Sequence, residues 1–406
     1  MKILHTSDWH LGHTLYNYDR KEEQQDMLQQ IIDITRKEQP DAFLLSGDVY
    51  DIPQPSASAQ QLFSECMAQL HKAVPGMRII VTAGNHDSGM RTEAFQSLLS
   101  MVDIHTIGTL DKEHSENHII ELPGKGFVIA LPYASDRNIP EGFHAMLGDL
   151  VAERNTKGLP VVMMAHTTVR SADFRGHDQK FDNIIGGIEG VDISAFGEGY
   201  DYLALGHIHR PQTFTIKDCE RLARYSGTPI ATSFDEDYRE PSDSTDSEKR
   251  ELCHSVSIVE IGQRGELPQV RTIEIKNIHP LVTLPTDGPR PWDDVKTRFD
   301  AYPSNLQTYL RLNVAITDSL PSRAYSEAQE IAKDKACKLC QINAIRTEDA
   351  HATTHRTMEL SEFQQMNPLD ILKQFYRDKK GVELPEDLEK MFNEAVQELN
   401  EESRES

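Results

Sequence analysis

The chain has 406 residues, enough for two or three domains at about 100–200 residues each. With 38% hydrophobic and 26% charged residues it carries apolar material for a sizeable core, which excludes whole-chain disorder. Its formal net charge of −23 excludes a binder that holds polyphosphate by bulk charge; contact with phosphate then needs local basic clusters, metal ions or a cationic partner.

Strands are expected at 2–6, 42–46, 78–83, 127–131, 161–165 and 202–205, each a continuous apolar run of the kind buried on both faces. Between the first three, Met27, Leu28, Ile31, Ile32 and Ile34 mark one helix, and Leu62, Phe63, Cys66, Met67 and Leu70 mark another at 56–72. A further helix is expected at 92–101. Residues 236–251 are almost free of apolar side chains and read as a mobile surface insertion. Pro280, Pro285, Gly288, Pro289 and Pro291 mark a boundary. Beyond it a helix at 292–302, a strand at 306–315, a helix at 323–335 and a strand at 338–346 predict a small α+β module. From Met366 two helices are expected. Asn367-Pro368 caps the first and Pro385-Glu386-Asp387 opens the second. The domains are therefore drawn at 1–278, 279–358 and 359–406.

Five cysteines, Cys66, Cys219, Cys253, Cys337 and Cys340, argue against a disulfide framework and for the reducing cytoplasm. No run approaches a membrane span, and polar residues enter the N-terminus too early for a secretory leader. Cys337 and Cys340 lack the second pair that a tetrahedral zinc site needs.

The chemistry gathers where strands end. The first expected strand runs into Asp8-Trp9-His10, the second into Gly47-Asp48, and the third into Gly84-Asn85-His86-Asp87. Later strands end at His166 and at Gly206-His207-Ile208-His209. Ligands of open α/β sheets collect beyond the carboxyl ends of strands. In an extended segment Asp8 and His10 point the same way, as do His207 and His209. Imidazole, carboxylate and amide donors without thiolate suit manganese, iron or zinc. Asp48 has two oxygens with which to bridge a pair of ions, and two ions about 3.5–4 Å apart hold a hydroxide for in-line attack at phosphorus. His86, free of metal, is placed to protonate a leaving oxygen or stabilise the transition state. His5, inside the first strand, reads as a buried hydrogen-bonded residue.

These elements, in this order, resemble the calcineurin-like metallophosphoesterases, a layered α/β sandwich of two sheets flanked by helices. The segments 5–12, 46–51 and 204–210, with Tyr225-Ser226-Gly227-Thr228-Pro229 and Ser233-Phe234-Asp235-Glu236, are similar to the SbcD-type nuclease subunits of SbcC–SbcD complexes along essentially the whole chain. The resemblance implies that Asp8, His10 and His209 hold one Mn2+, that Asn85, His166 and His207 hold the other (Mg2+, Fe2+ or Zn2+ being possible in its place), that Asp48 bridges, and that His86 is catalytic. It further implies a small capping domain and a C-terminal helical pair that binds an SbcC-like SMC-family ATPase. It implies DNA as substrate, with 3′-to-5′ exonuclease and single-strand or hairpin endonuclease activity, and a homodimer within a heterotetramer. ATP hydrolysis would fall to the partner, because the chain has no phosphate-binding G-x-x-x-x-G-K-[ST] loop.

Two other readings of the residues remain open. One is a small-molecule phosphodiesterase or phosphatase with the same metals, which would need neither cap nor helical pair. The other is a scaffold that has lost its metals. The basic residues of 170–180 and Arg210 follow ligand elements and are candidates for phosphate contacts.

Overall fold

Continuous apolar runs separated by amphipathic helices call for a sheet buried on both faces, and the computed structural model contains two. It describes residues 1–134, 138–170, 172–173, 190–216, 221–236, 254–346 and isolated positions between 369 and 392. Contacts divide the chain into two units, Met1–Arg346 and Thr347–Ser406.

The first unit begins with β1 (Lys2–Thr6), β2 (Thr14–Leu15), β3 (Tyr18–Asp19), α1 (Lys21–Glu38), β4 (Ala42–Ser46), α2 (Ala57–Ala73) and β5 (Arg78–Thr82). It continues with α3 (Gly89–Thr92), α4 (Gln96–Leu99), β6 (Ile104–Ile107), β7 (Ile119–Leu122), β8 (Gly126–Ala130), α5 (Phe143–Arg154) and β9 (Val161–His166). Then come β10 (Tyr202–Gly206), β11 (Gln212–Thr215), β12 (Leu222–Tyr225), β13 (Ser255–Glu260) and β14 (Gln269–Glu274). The unit closes with β15 (Leu281–Leu284), α6 (Trp292–Asp300), β16 (Tyr309–Ile316), α7 (Ala324–Ala332) and β17 (Lys338–Arg346).

One six-stranded sheet has the order β14-β13-β1-β4-β5-β6 and the other β11-β12-β10-β9-β8-β7. Alternation along the strands sorts their side chains into layers. Ile3, Leu44 and Ile80 of the first sheet meet Val128, Val162, Met164 and Ala204 of the second. On the outer face of the first sheet, Leu4, Phe43, Leu45 and Val81 pack on Met27 and Ile31 of α1 and Met67 and Leu70 of α2. On the outer face of the second, Ile129, Met163 and Leu203 pack on Phe143, Leu147 and Val151 of α5. The result is the helix–sheet–sheet–helix sandwich expected from the sequence. Pairing is parallel among β1, β4, β5 and β6 and among β8, β9, β10 and β12. The carboxyl ends of β1, β4, β5, β9 and β10 deliver the motif residues.

The small module is a parallel sheet β15-β16-β17 with its own core of Trp292, Val295, Phe299, Leu310, Leu312, Val314, Ala324 and Ala328. Its first strand, Leu281–Leu284, was invisible in the sequence because four residues between prolines are too few for a periodic signal. The helix expected at 92–101 is broken into α3, α4 and a 3₁₀ turn. Glu93 and Gln96 turn to accept the N–H groups of Gly108, Thr109 and Thr106, while Met90, Phe95, Leu98 and Met101 stay exposed. In the second unit, Leu369, Leu372, Lys373, Tyr376, residues 388–390 and Phe392 are helical, and Lys373 pairs with Glu389 at 2.6 Å. The rest of the expected C-terminal pair, most of 170–180 and the insertion beyond Glu236 lie outside the described residues. Among the described residues no helix is long and apolar enough to cross a membrane.

His5 lies wholly buried in β1, its Nδ1 3.0 Å from the Tyr202 hydroxyl of the facing sheet. Burial, and then the charge of Arg224, push its imidazole down to about 3. As pH falls from about 6.5, the unfolded chain takes up a proton that the folded His5 refuses, so this stabilisation is present at neutral pH and drains away toward pH 3. Urea unfolding should therefore lose on the order of 2 kcal/mol from this residue between pH 7 and pH 5. The same pH interval should cost His5→Gln correspondingly less, and equal pH slopes would contradict the assignment.

Candidate metal centre

The loops after β1 and β4 run side by side. Asp8 N–H donates to Gly47 O (3.0 Å), His10 N–H to Asp48 O (3.1 Å) and Leu11 N–H to Val49 O (2.9 Å). This pairing requires backbone that an extended strand does not have. Asp8, His10, Asp48 and His207 all sit at positive φ, at 54°, 44°, 49° and 102°, where a non-glycine residue costs about 1–3 kcal/mol. The three of these in the paired loops, Asp8, His10 and Asp48, already match or exceed the three loop hydrogen bonds at roughly 1 kcal/mol each, and His207 after β10 adds to the strain, so the surrounding sandwich must hold it. The expectation that strand alternation aims Asp8 and His10 to one side is thus corrected: β1 ends at Thr6, and left-handed turns point both inward. Gly84 is obligatory for a different reason, since a Cβ there would collide with the Asp48 carboxylate and backbone nitrogen.

All eight residues singled out in the sequence lie on one rim. Ligand atoms of Asp8, His10 and His209 lie within 4.8 Å of one another, as do those of Asp48, His166 and His207, and those of His10, Asp48 and His86. Asn85 Oδ1 stands 3.0 Å from both His166 Nε2 and His207 Nδ1. Asp48 lies between the groups, Oδ2 3.3 Å from His166 Nε2 and 3.7 Å from His10 Nε2, while Oδ1 accepts the His86 N–H at 2.9 Å. Asp8 accepts the His207 N–H (3.0 Å) and the Ser7 hydroxyl (2.5 Å). The His86 ring is exposed, with Nδ1 donating to Asp51 O at 2.8 Å.

The donor set fits divalent cations. His10 turns Nδ1 toward Asp51 and His209 turns Nδ1 toward Glu236, so in the neutral rings the two Nε2 lone pairs face each other at 3.1 Å, an arrangement that suits a cation between them. His166 gives its other nitrogen to Ser46 O (2.9 Å) and His209 gives its own to Glu236 Oε1 (2.8 Å), the outer hydrogen bonds that orient metal-binding imidazoles. Burial would depress both rings, yet Asp48 pushes His166 up to about 9 and Glu236 pushes His209 up to about 9. Against burial, His166 in turn holds the Asp48 carboxyl far below the usual range, and His209 holds Glu236 at about 2. The negative charge of the rim demands positive charge.

Two residues with structural duties here carried only a motif match in the sequence. Glu236 stands at the head of the insertion read as mobile surface; instead its side chain is buried against His209 and Thr232. An isolated glutamate beside a polar run gives no signal of this. Asp87 accepts the N–H groups of Gly84 (2.8 Å), Val49 (3.0 Å) and Tyr50 (3.0 Å) and so ties the β5 loop to the β4 loop. Of the candidate basic contacts, Arg210 pairs with Asp173 at 3.2 Å and Arg170 Nε donates to Gly190 O.

A family model described as calcineurin-like phosphoesterase matches residues 1–211. The chain is 31% identical over 327 residues to the SbcD subunit of nuclease SbcCD from Rhodobacter capsulatus, covering 74% of this chain and 75% of that protein. The chain belongs to the calcineurin-like phosphoesterases, in their SbcD family. The SbcD subunits of Bacillus subtilis (36% identical, 58% of this chain, 63% of that one) and Escherichia coli K12 (26%, 79% and 83%) are also similar. An SbcD-family chain is a phosphoester hydrolase whose family uses divalent metal ions, and this rim has the donors for them.

The Asp87 stitch can be tested apart from catalysis. In Asp87→Asn one oxygen becomes an NH₂ that faces a backbone N–H. Urea unfolding in chelator at pH 8 should show a loss of about 1–3 kcal/mol; an unchanged midpoint would remove Asp87 from the scaffold.

Proposed function

We propose that the chain is a manganese-dependent DNA nuclease subunit working in the cytoplasm with an SbcC-like SMC-family ATPase. In this reading it is a 3′-to-5′ exonuclease on double-stranded ends and an endonuclease on single strands and hairpins, serving DNA replication, recombination and repair. The observation that carries the proposal is the pair of donor groups flanking one shared carboxylate, Asp48. Asp8, His10 and His209 would hold one ion and Asn85, His166 and His207 the other. Two bound ions supply a nucleophile from water at neutral pH and offset the charge of the phosphoryl oxygens. For a chain of net charge −23, that local positive charge is also what lets DNA approach. His86 has Nδ1 fixed by the Asp51 carbonyl, which leaves Nε2 to meet the leaving oxygen or the developing charge.

The partner reading rests on similarity to proteins named as SbcD subunits of SbcCD nucleases and on the apolar stripes of the C-terminal helical pair, 359–406, which we take as the ATPase-binding element. We take 1–278 as catalytic domain and 279–358 as cap. A homodimer, two copies within a heterotetramer, is supported by the exposed Met90, Phe95, Leu98 and Met101, with Met90 81% and Met101 80% exposed. Side chains of this size clustered in water are the mark of a contact surface.

The test is digestion of end-labelled linear duplex with Mn2+, with and without the cognate ATPase and ATP, comparing wild type with His86→Ala. Wild type should degrade the duplex, faster with the ATPase. The variant should lose roughly 10²–10⁴-fold in rate while binding as much manganese. Intact DNA alongside hydrolysis of a small phosphodiester would favour the small-molecule enzyme, and loss of manganese from the variant would make His86 a ligand.

A further inference from the structure

The reading of His209 as a metal ligand leads one step outward, to the small module. His209 Nδ1 is engaged by Glu236, and Glu236 stands at the end of a short segment, 231–236, whose fold is set by its own polar contacts. The Glu236 carboxylate accepts the Thr232 N–H (2.8 Å) and hydroxyl (2.5 Å), closing the segment into a tight loop. What fixes that loop in space is not the sandwich alone. Ala231 O accepts a hydrogen bond from Arg20, which is buried in an ion pair with Glu23. Glu23 in turn accepts the hydroxyl of Tyr309 on β16 at 2.6 Å.

At the other end, Arg311 of β16 pairs through Nη1 with Asp235 Oδ1 at 2.6 Å and lies over the Phe234 ring, 5.1 Å from its centroid. Its Nε donates to Thr283 Oγ1 on β15 at 3.2 Å, so the guanidinium is itself held by the small sheet. Ala231, Phe234, Leu15, Leu281 and Tyr309 form one apolar cluster beneath these contacts. Both ends of the loop that presents Glu236 are therefore gripped by chains of contacts reaching the same strand of the small module.

We propose that Arg311 is a positioning residue for the metal centre, acting through Asp235 and Glu236 to fix the imidazole of His209. It touches neither ion nor substrate. Its partner Asp235 is adjacent in sequence to the carboxylate that orients the ring, so loss of the ion pair releases the loop at the end nearest Glu236. A guanidinium supplies at once the N–H to Asp235, the N–H to Thr283 and the flat face to Phe234, and a lysine supplies only the charge. The other donor group is anchored within the sandwich, His166 on the Ser46 carbonyl and the His207 backbone on Asp8. The module that carries Arg311 thus serves one metal site of the two.

The test uses the full chain stripped with chelator and titrated with Mn2+, free ion being followed by electron paramagnetic resonance. Arg311→Ala should weaken one of two manganese sites by roughly tenfold, in the range that outer hydrogen-bond partners of metal ligands produce, and leave the other unchanged. Asp235→Asn, which breaks the same pair from the loop side, should do the same; Arg311→Lys should restore part of the affinity. Arg298→Ala, which removes a surface pair with Asp287 and Asp294 in the same module, should bind as wild type. If His209→Ala loses one ion while Arg311→Ala and Asp235→Asn bind both at wild-type affinity, the positioning role is wrong. If His209→Ala keeps both ions, the ligand reading beneath it is wrong.

Discussion

A buried carboxylate, Asp48, sets the terms for the rest of the molecule. It is enclosed by His10, His86 and His166, accepts the His10 N–H at its backbone carbonyl, and is packed against the bare α-carbon of Gly84. Such a group is costly in an apolar interior unless neighbouring positive charge offsets it. Here the buried His166 imidazole, driven toward its charged form by this carboxylate, supplies that charge; the His86 backbone N–H and His10 lie beside it, and the three residues come from the ends of different strands of the sandwich. The two sheets can be seen as the means of bringing β1, β4, β5, β9 and β10 to one rim, with their helices burying the outer faces so that the ends stay in register.

Strain is the second part of the design. Asp8, His10, Asp48 and His207 occupy backbone that is unfavourable for side-chain-bearing residues, and residues of that kind persist where the structure around them over-determines their positions. The hydrogen bonds between the β1 and β4 loops, the Asp87 stitch and the Glu236 contact to His209 are the local devices. Divalent ions held by the same side chains would favour the folded over the unfolded chain and so add to them.

The sandwich and the rim were legible in the sequence because their signals are local: apolar runs of four to six residues, each ending in a dense polar motif. Other features escaped. Positive φ at Asp8 and His10 cannot be read from spacing, so their meeting on one rim was expected for the wrong geometric reason. Leu281–Leu284 is too short, and too closely flanked by prolines, to show as a strand. Phe95, Leu98 and Met101 have helical spacing but line no core, since Glu93 and Gln96 serve the β6 loop instead. Glu236 looked like the start of a solvated run, because its role depends on a histidine 27 residues earlier in the chain. In each case the missing information is tertiary: which backbone turns back, and which distant group takes a carboxylate.

The most direct measurement is the number of manganese ions bound per chain by wild type and by Asp48→Asn, by elemental analysis after equilibrium dialysis. If one carboxylate serves both donor groups, wild type should hold two ions and the variant should lose affinity for both together. A variant that still binds two ions as tightly as wild type would contradict the shared-carboxylate centre.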